Sequence, residues 1–279
     1  MRMNEMILYR NMEQEELLQN MVMLMKHAGS KEYDDETLRE VWYDTVHSLV
    51  ELAASHGFEG NLWHNYLTFL LANSENAYST ACEITGFTEG SINDAALHDF
   101  VIFRELFHYD LKILEERLGV MNLGFIEDYH QAGAHGSVYN KRIRDRICEL
   151  NKRLEQSETP EEFKQVTTEF YKEFGVGKFG LHKAFRIEER DGETEIVPIT
   201  KIAHVHLDDL VGYELAKQKL IDNTEAFVKG KRANNCLLFG DAGTGKSSSI
   251  KAILNQYYDQ GLRMIEVYKH QFQNLNDVI

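Results

Sequence analysis

The sequence is poor in residues that interrupt or staple a chain. Only Pro160 and Pro198 occur among 279 residues; proline breaks helix interiors and central strands, so its scarcity favours long helices over a loop-rich or all-β design. Three cysteines, Cys82, Cys148 and Cys236, lie too far apart for a metal knuckle, and an odd number suits reduced thiols rather than a disulfide framework. No apolar run approaches the roughly 20 residues that a membrane span requires; one of the longest is "YLTFLLA" at residues 66–72. The N-terminus mixes Met with acidic residues and shows no targeting pattern. These absences predict a soluble, cytoplasmic protein without a membrane partner. Basic residues are scarce at the front as well: residues 1–100, 101–200 and 201–279 carry −12, −4 and +1, within an overall −15. An acidic front argues against nucleic-acid binding by that surface and leaves a solvated helical face or a basic partner.

What is present can build a sizeable core, because 43% of the residues are hydrophobic. Residues 34–56 place Leu38, Val41, Trp42, Thr45, Val46, Leu49 and Ala53 at three- and four-residue spacing, with Gly57 as the C-cap, which predicts an amphipathic helix. Asn93 can cap a second long helix running through Leu97, Phe100, Val101, Leu111, Leu114 and Leu118 to Gly119. In "SETPEEF", Thr159 and Glu162 match a capping box with Pro160 at the first helical position, opening a helix that ends at Phe174 and Gly175. The texture then changes. Leu181, Phe185 and Ile187 alternate with polar positions, and an Asp191–Gly192 turn before "EIVPI" predicts a β-hairpin over residues 181–199. The expected organisation is a mainly α N-terminal domain over 1–175, a hairpin and linker over 176–205, and an α/β region over 206–279.

Several patterns invite chemistry that their surroundings do not support. Gly175, Gly177 and Gly180 fit G-x-G-x-x-G, but a capped helix precedes them and strand-like sequence follows, the reverse of a dinucleotide fingerprint. His204 and His206 share one side of an extended segment without a further ligand in sequence. Lys141, Arg142, Arg144, Arg146, Lys152 and Arg153 lie on a helix whose Ile143, Ile147, Leu150 and Leu154 are spaced for burial, so a solvated face accounts for them. Cys148 has no neighbouring residues suited to nucleophilic chemistry.

One motif is different. "FGDAGTGKS" satisfies G-x-x-x-x-G-K-[ST] through Gly240, Gly245, Lys246 and Ser247; the short apolar run "NCLLF" ends at Phe239, and Ile250, Ile253, Leu254 and Tyr257 follow at helical spacing. Strand, glycine-rich loop and helix is the order a phosphate cradle needs. Gly243 and Gly245 permit unusual φ values that turn successive N–H groups inward around an anion, and the following helix adds its partial positive charge. Lys246 supplies a full charge toward β- and γ-phosphates, and Ser247 a hydroxyl oxygen for Mg²⁺. The phosphate site is thus read as Gly240, Asp241, Ala242, Gly243, Thr244, Gly245, Lys246, Ser247 and Ser248, with Lys246 as the catalytic candidate and Ser247 as the metal ligand.

With these residues in view, the sequence resembles the AAA+ P-loop ATPases. Their upstream segment, an acidic and an apolar residue, any residue, then glycine ahead of a helix with a basic residue, is matched by Asp209, Leu210, Val211, Gly212 and Lys217, with Gly212 28 residues before Gly240. Within that superfamily the chain is most similar to an uncharacterised group of bacterial predicted ATPases with a helical N-terminal region. The resemblance is strong over about 205–279. It implies that Leu210, Val211 and Gly212 border the adenine of ATP, that Mg²⁺ is the cofactor, and that the full-length protein self-associates into a ring and remodels a partner engaged by the helical region. No N-K-x-D suggests guanine specificity.

The chain departs from that pattern downstream. "LRMIEV" at 262–267 reads as a second strand and "YKHQFQNLNDVI" as the start of another helix, but no apolar strand ending in Asp–Glu, no sensor and no arginine finger is found. In the family's strand order the two strands present are not neighbours, so each is expected to lack its partner. The expectation is a truncated, incomplete AAA+ core that does not hydrolyse ATP alone. Two alternatives remain open: a P-loop small-molecule kinase, and a non-enzymatic helical interaction module with a vestigial nucleotide site.

Overall fold

The computed structural model describes residues 2–272 other than 29, 31, 87, 122, 132–135, 137 and 191–192, with the side chains of 190 and 193 also set aside. The Asp191–Gly192 turn and the end of the C-terminal helix expected from residue 268 therefore lie outside the described residues; 269–272 form a 3-10 turn. The chain is mostly helical with a small mixed three-stranded sheet, and it divides into two compact units, Met1–Gly177 and Lys178–Ile279.

In the first unit the helices are α1 (Glu15–His27), α2 (Asp35–His56), α3 (Leu62–Asn73), α4 (Ala77–Thr85), α5 (Ile92–Phe107), α6 (Leu111–Leu118), α7 (Lys141–Glu155) and α8 (Pro160–Phe174). The apolar run noted above makes α3 the centre, because a helix hydrophobic on all sides must be buried on all sides: from Trp63 to Ala72 only His64 is not fully buried. Helices α2, α5 and α7 pack around it, and α8 packs on α4, α5 and α7. Aromatic rings fill the gaps; Phe100 contacts the rings of Tyr9, Tyr78 and Phe163. Two buried polar networks are paired, as burial without partners is costly, although Trp42 Nε1 and Ser74 Oγ are buried without a hydrogen-bond partner. Tyr9 donates to the Tyr171 hydroxyl at 2.9 Å, which donates onward to the Leu71 carbonyl at 2.8 Å. The fully buried Asp99 carboxylate accepts from the main-chain N–H groups of Ile7, Leu8 and Tyr9 at 2.8, 2.7 and 3.1 Å and pins the N-terminal segment.

Caps set the helix ends. The Asp34 carboxylate accepts from Thr37 N–H at 2.8 Å to open α2, and Gly57 closes it with φ +76°. Thr159 Oγ1 accepts from Glu162 N–H at 3.1 Å to open α8, but the Glu162 carboxylate reaches back to Glu158 N–H rather than to Thr159, so only half of the expected box forms. The long helix expected from Asn93 to Leu118 is two helices. Asp110 caps α6 by accepting from Lys112 N–H at 2.9 Å, which breaks the chain at 108–110 although the apolar spacing continues across it. Asn93 is no cap: its amide donates to the Thr88 and Gly90 carbonyls.

A short helix α9 (Gly177–Leu181) spans the boundary between the units, so the glycine-rich 175–180 stretch is a helix end followed by a further helical turn, and Leu181 belongs to that turn rather than to the hairpin. Strands β1 (Ala184–Arg190) and β2 (Glu193–Pro198) pair antiparallel, with Phe185 opposite Pro198 and Ile187 opposite Ile196. Strand β3 (Met264–Glu266) pairs parallel with β1, Ala184 opposite Met264, giving the order β2-β1-β3. The expectation that this strand would lack a partner is therefore corrected: the hairpin offers an open edge and β3 takes it. Helices α10 (Glu214–Val228) and α11 (Lys246–Tyr257) pack through a small core of Leu207, Ala252, Ile253 and Tyr257, flanked by Val205, Leu210, Leu220, Ile221, Val228 and Leu262.

The expected P-loop strand does not form. Residues 235–239 belong to no strand, and Leu237 and Phe239 are each 86% exposed. A strand apolar on both faces needs neighbours on its edges and layers above and below. Among the described residues the three strands make a separate sheet and none lies beside this segment.

Candidate functional site

The glycine-rich loop is assembled from backbone first. Gly240, Gly243 and Gly245 have φ of +137°, +81° and +81°, the left-handed region that L side chains rarely adopt. At Gly243 and Gly245 a Cβ would meet open space, so φ rather than crowding demands glycine there. Gly245 is the N-cap of α11 and Lys246 its first residue, which places the unsatisfied N–H groups and positive end of that helix directly after the loop. Within the loop, Thr244 Oγ1 donates to the Asp241 carbonyl at 2.8 Å, and Ser249 Oγ donates to the Gly245 carbonyl at 3.0 Å.

Lys246 is folded back over this loop. Its Nζ donates to the Gly240 and Asp241 carbonyls at 2.8 and 2.6 Å and approaches Thr244 Oγ1 at 3.3 Å. The ammonium is thus held at the loop mouth by exchangeable carbonyl acceptors, which an anionic oxygen would replace with a stronger, charge-assisted bond. Asp241, Ala242, Gly243 and Ser247 are exposed, while Thr244, Gly245, Lys246 and Ser248 are half-buried. The loop offers backbone N–H groups, one cation and the hydroxyls of Thr244, Ser247 and Ser248, and that donor set fits a phosphate chain. Ser247 provides one hydroxyl suited to Mg²⁺; no group of three or more His, Cys, Asp or Glu suited to a metal occurs among the described residues.

The upstream segment is tied to the same helix. Leu210 packs against the core that contains Ala252, Ile253 and Tyr257 of α11. Its carbonyl accepts from Lys217 Nζ at 2.6 Å, and the same ammonium pairs with Glu214 at 2.8 Å. The Asp209 carboxylate accepts from His206 N–H at 2.7 Å, closing the turn before it. Val211 is 95% exposed, and Gly212 follows at φ +86°. Of the three residues expected beside the base, Leu210 is joined to the body of the unit and Val211 and Gly212 stand free of it.

Three further contacts were not legible from spacing. The Asn223 carboxamide on α10 is bonded to the main chain of Asn234. Asn255 on α11 donates to the Ala203 and Val205 carbonyls, both at 3.1 Å. The Tyr257 hydroxyl donates to Glu225 of α10 at 3.2 Å; Lys229, 2.7 Å away, holds the Glu225 carboxyl below its usual range, and burial pushes the Tyr257 phenol up. Elsewhere the set-aside patterns behave as side chains of ordinary surfaces. Arg153 pairs with Glu169, Arg144 with Asp145, and Arg146 lies over the Phe174 ring at 4.0 Å. Burial pushes the Cys148 thiol up, away from nucleophilic character. His204 and His206 are exposed.

The geometry defines a glycine-rich loop at a helix N-terminus, and it can be set beside known proteins. A family model described as a protein of unknown function, DUF815, matches residues 180–279. The large subunit of replication factor C from Staphylothermus marinus is 33% identical over 81 residues, 29% of this chain. The match spans only 18% of that relative's length. No solved structure matches the chain. Together these matches support a AAA+ relationship for this chain.

Proposed function

We propose that this chain is an ATP-binding protein of the AAA+ kind. In this reading the phosphates lie against residues 240–248, and Leu210, Val211 and Gly212 border the adenine. The observation that carries the proposal is that the loop entering α11 and the Leu210 segment are fixed to one helix, with Lys246 at its first position. The N–H groups of the loop and the end of α11 would bind the phosphate oxygens, and Lys246 would leave the Gly240 and Asp241 carbonyls to do so. Ser247 would be one ligand of Mg²⁺, which would offset negative charge on the phosphates. In the full-length protein, ATP binding and hydrolysis would remodel a partner engaged by the helical N-terminal region, and self-association into a ring would accompany them.

Hydrolysis itself is assigned to a longer protein of which this sequence would be a part. Supporting that is the exposure of Leu237 and Phe239 on a segment patterned for burial. Titration with a fluorescent ATP analogue tests the binding reading. Wild-type chain should bind, and Lys246→Ala should bind roughly 10- to 100-fold more weakly, the scale of a hydrogen bond to a charged group, with an unchanged circular dichroism spectrum. A folded wild-type chain that ignores the analogue would overturn the reading, and sustained Mg²⁺-dependent turnover by this chain alone would overturn the assignment of hydrolysis to a longer protein.

A further inference from the structure

A phosphate loop works only if both of its ends are held. The exit is α11 itself. The entry, residues 235–239, has no strand beside it among the described residues, yet its direction decides where the Gly240 carbonyl and the N–H groups beyond it point. Immediately before it begins, the Asn223 side chain meets the Asn234 main chain twice: Nδ2 donates to the Asn234 carbonyl at 2.8 Å, and Oδ1 accepts from the Asn234 N–H at 2.8 Å. Nδ2 also lies 3.1 Å from Cys236 Sγ. One residue exchanging both an N–H and a C=O with a single partner is the pattern of a hydrogen-bonded pair in an antiparallel ladder. A carboxamide reproduces it because it carries the same two groups as a peptide.

Asn223 is also well placed to transmit position. It is half-buried and is followed by buried Thr224; Leu220, Ile221 and Val228 on the same helix pack on the core shared with α11. Glu225 adds the bond from Tyr257 at the far end of α11. The path from Asn234 through the loop to Lys246, along α11, across to α10 and back through Asn223 is therefore closed. We propose that Asn223 is a positioning residue for the phosphate loop, its side chain standing in for a neighbouring strand at the loop's entry. The binding arm of this inference rests on the ATP-binding reading above; the structural arm does not.

The test uses the full chain and two measurements. In Asn223→Ala, affinity for the fluorescent ATP analogue should fall about tenfold, in keeping with loss of pre-organisation. Inorganic tripolyphosphate should weaken as a competitor by the same factor, because the defect lies at the phosphates. Backbone ¹⁵N order parameters should fall across residues 235–245 while those of α10 are kept. Asn223→Asp retains the acceptor for the Asn234 N–H and loses the donor, and should fall between wild type and Asn223→Ala in both measurements. Unchanged order parameters at 235–245 would overturn the proposal, as would a fall that includes α10, which would make Asn223 a helix-stabilising residue only. If wild-type chain does not bind the analogue, the ATP reading fails, and the order parameters still decide the role of Asn223.

Discussion

The two units differ in how completely their apolar side chains find partners. In residues 1–177 most large rings are inside: Trp42, Trp63, Phe100, Phe103, Phe107 and Phe163 are essentially inaccessible. In residues 178–279 comparable side chains stand in the open, with Leu215 at 84% and Leu237 and Phe239 at 86% exposed. The first unit closes its own core, whereas the second has hydrophobic residues patterned for burial that the described residues do not cover. A family match confined to 180–279 falls on that second unit. On the proposed ATP-binding reading, the difference makes stability and ligand binding separable: substitutions in the first unit should act on folding, and those around the loop on recognition.

The largest effect that would sharpen this contrast is expected at Phe100. Its ring is fully buried among Tyr9, Tyr78 and Phe163, and truncating such a side chain leaves a cavity costing about 3–5 kcal/mol. The two tryptophans, Trp42 and Trp63, both lie in this unit, so tryptophan fluorescence in the intact chain reports on it selectively. Phe100→Ala should lower the unfolding free energy extrapolated from urea titration by that amount while leaving affinity for the ATP analogue unchanged. A parallel loss of affinity would show that the units are not energetically separable.

A smaller effect is expected from pH. Burial depresses the imidazoles of His56 and His64, outweighing their bonds to the Leu52 and Phe107 carbonyls. Both therefore bind a proton less readily in the folded unit than in the unfolded chain. Their contribution to stability is complete above the ordinary imidazole value of about 6.5 and is lost as pH falls through it toward the depressed folded values. Tryptophan-monitored unfolding should weaken from pH 7.5 to 5.5, and His56→Phe with His64→Phe should flatten that slope. A slope unchanged by both substitutions would place the acid sensitivity elsewhere.

How far these features were legible follows from the range over which each is encoded. Helices α2 and α8 are read almost to the residue, since Asp34, Gly57, Thr159 and Gly175 act on the adjoining turn. The break between α5 and α6 is missed because apolar spacing runs on from Phe107 to Leu111 while Asp110 alone ends the helix. The loop glycines are legible because φ is a local demand. The strand at 235–239 is legible as a pattern but not as a structure, since a strand exists only with a partner. The Asn223–Asn234 bridge leaves no periodic trace, and neither does the hydrogen bond between Tyr9 and Tyr171, 162 residues apart.

The smallest expected effect on stability is at Phe239, and it bears most directly on the contrast. With 86% of its surface exposed, the ring has almost no native burial to lose, so Phe239→Ser should leave the calorimetric transition of the chain within about 0.5 kcal/mol of wild type. What should change is association. An apolar segment without edge neighbours is a template for pairing with other chains, and removing its ring should lower concentration-dependent self-association measured by sedimentation. The contrast with Phe100 is then a contrast of surroundings, the same side chain being indispensable where rings enclose it and dispensable where nothing does. A destabilisation of Phe239→Ser comparable to that of Phe100→Ala would break the comparison, because it would mean that residues 235–239 are already packed in solution.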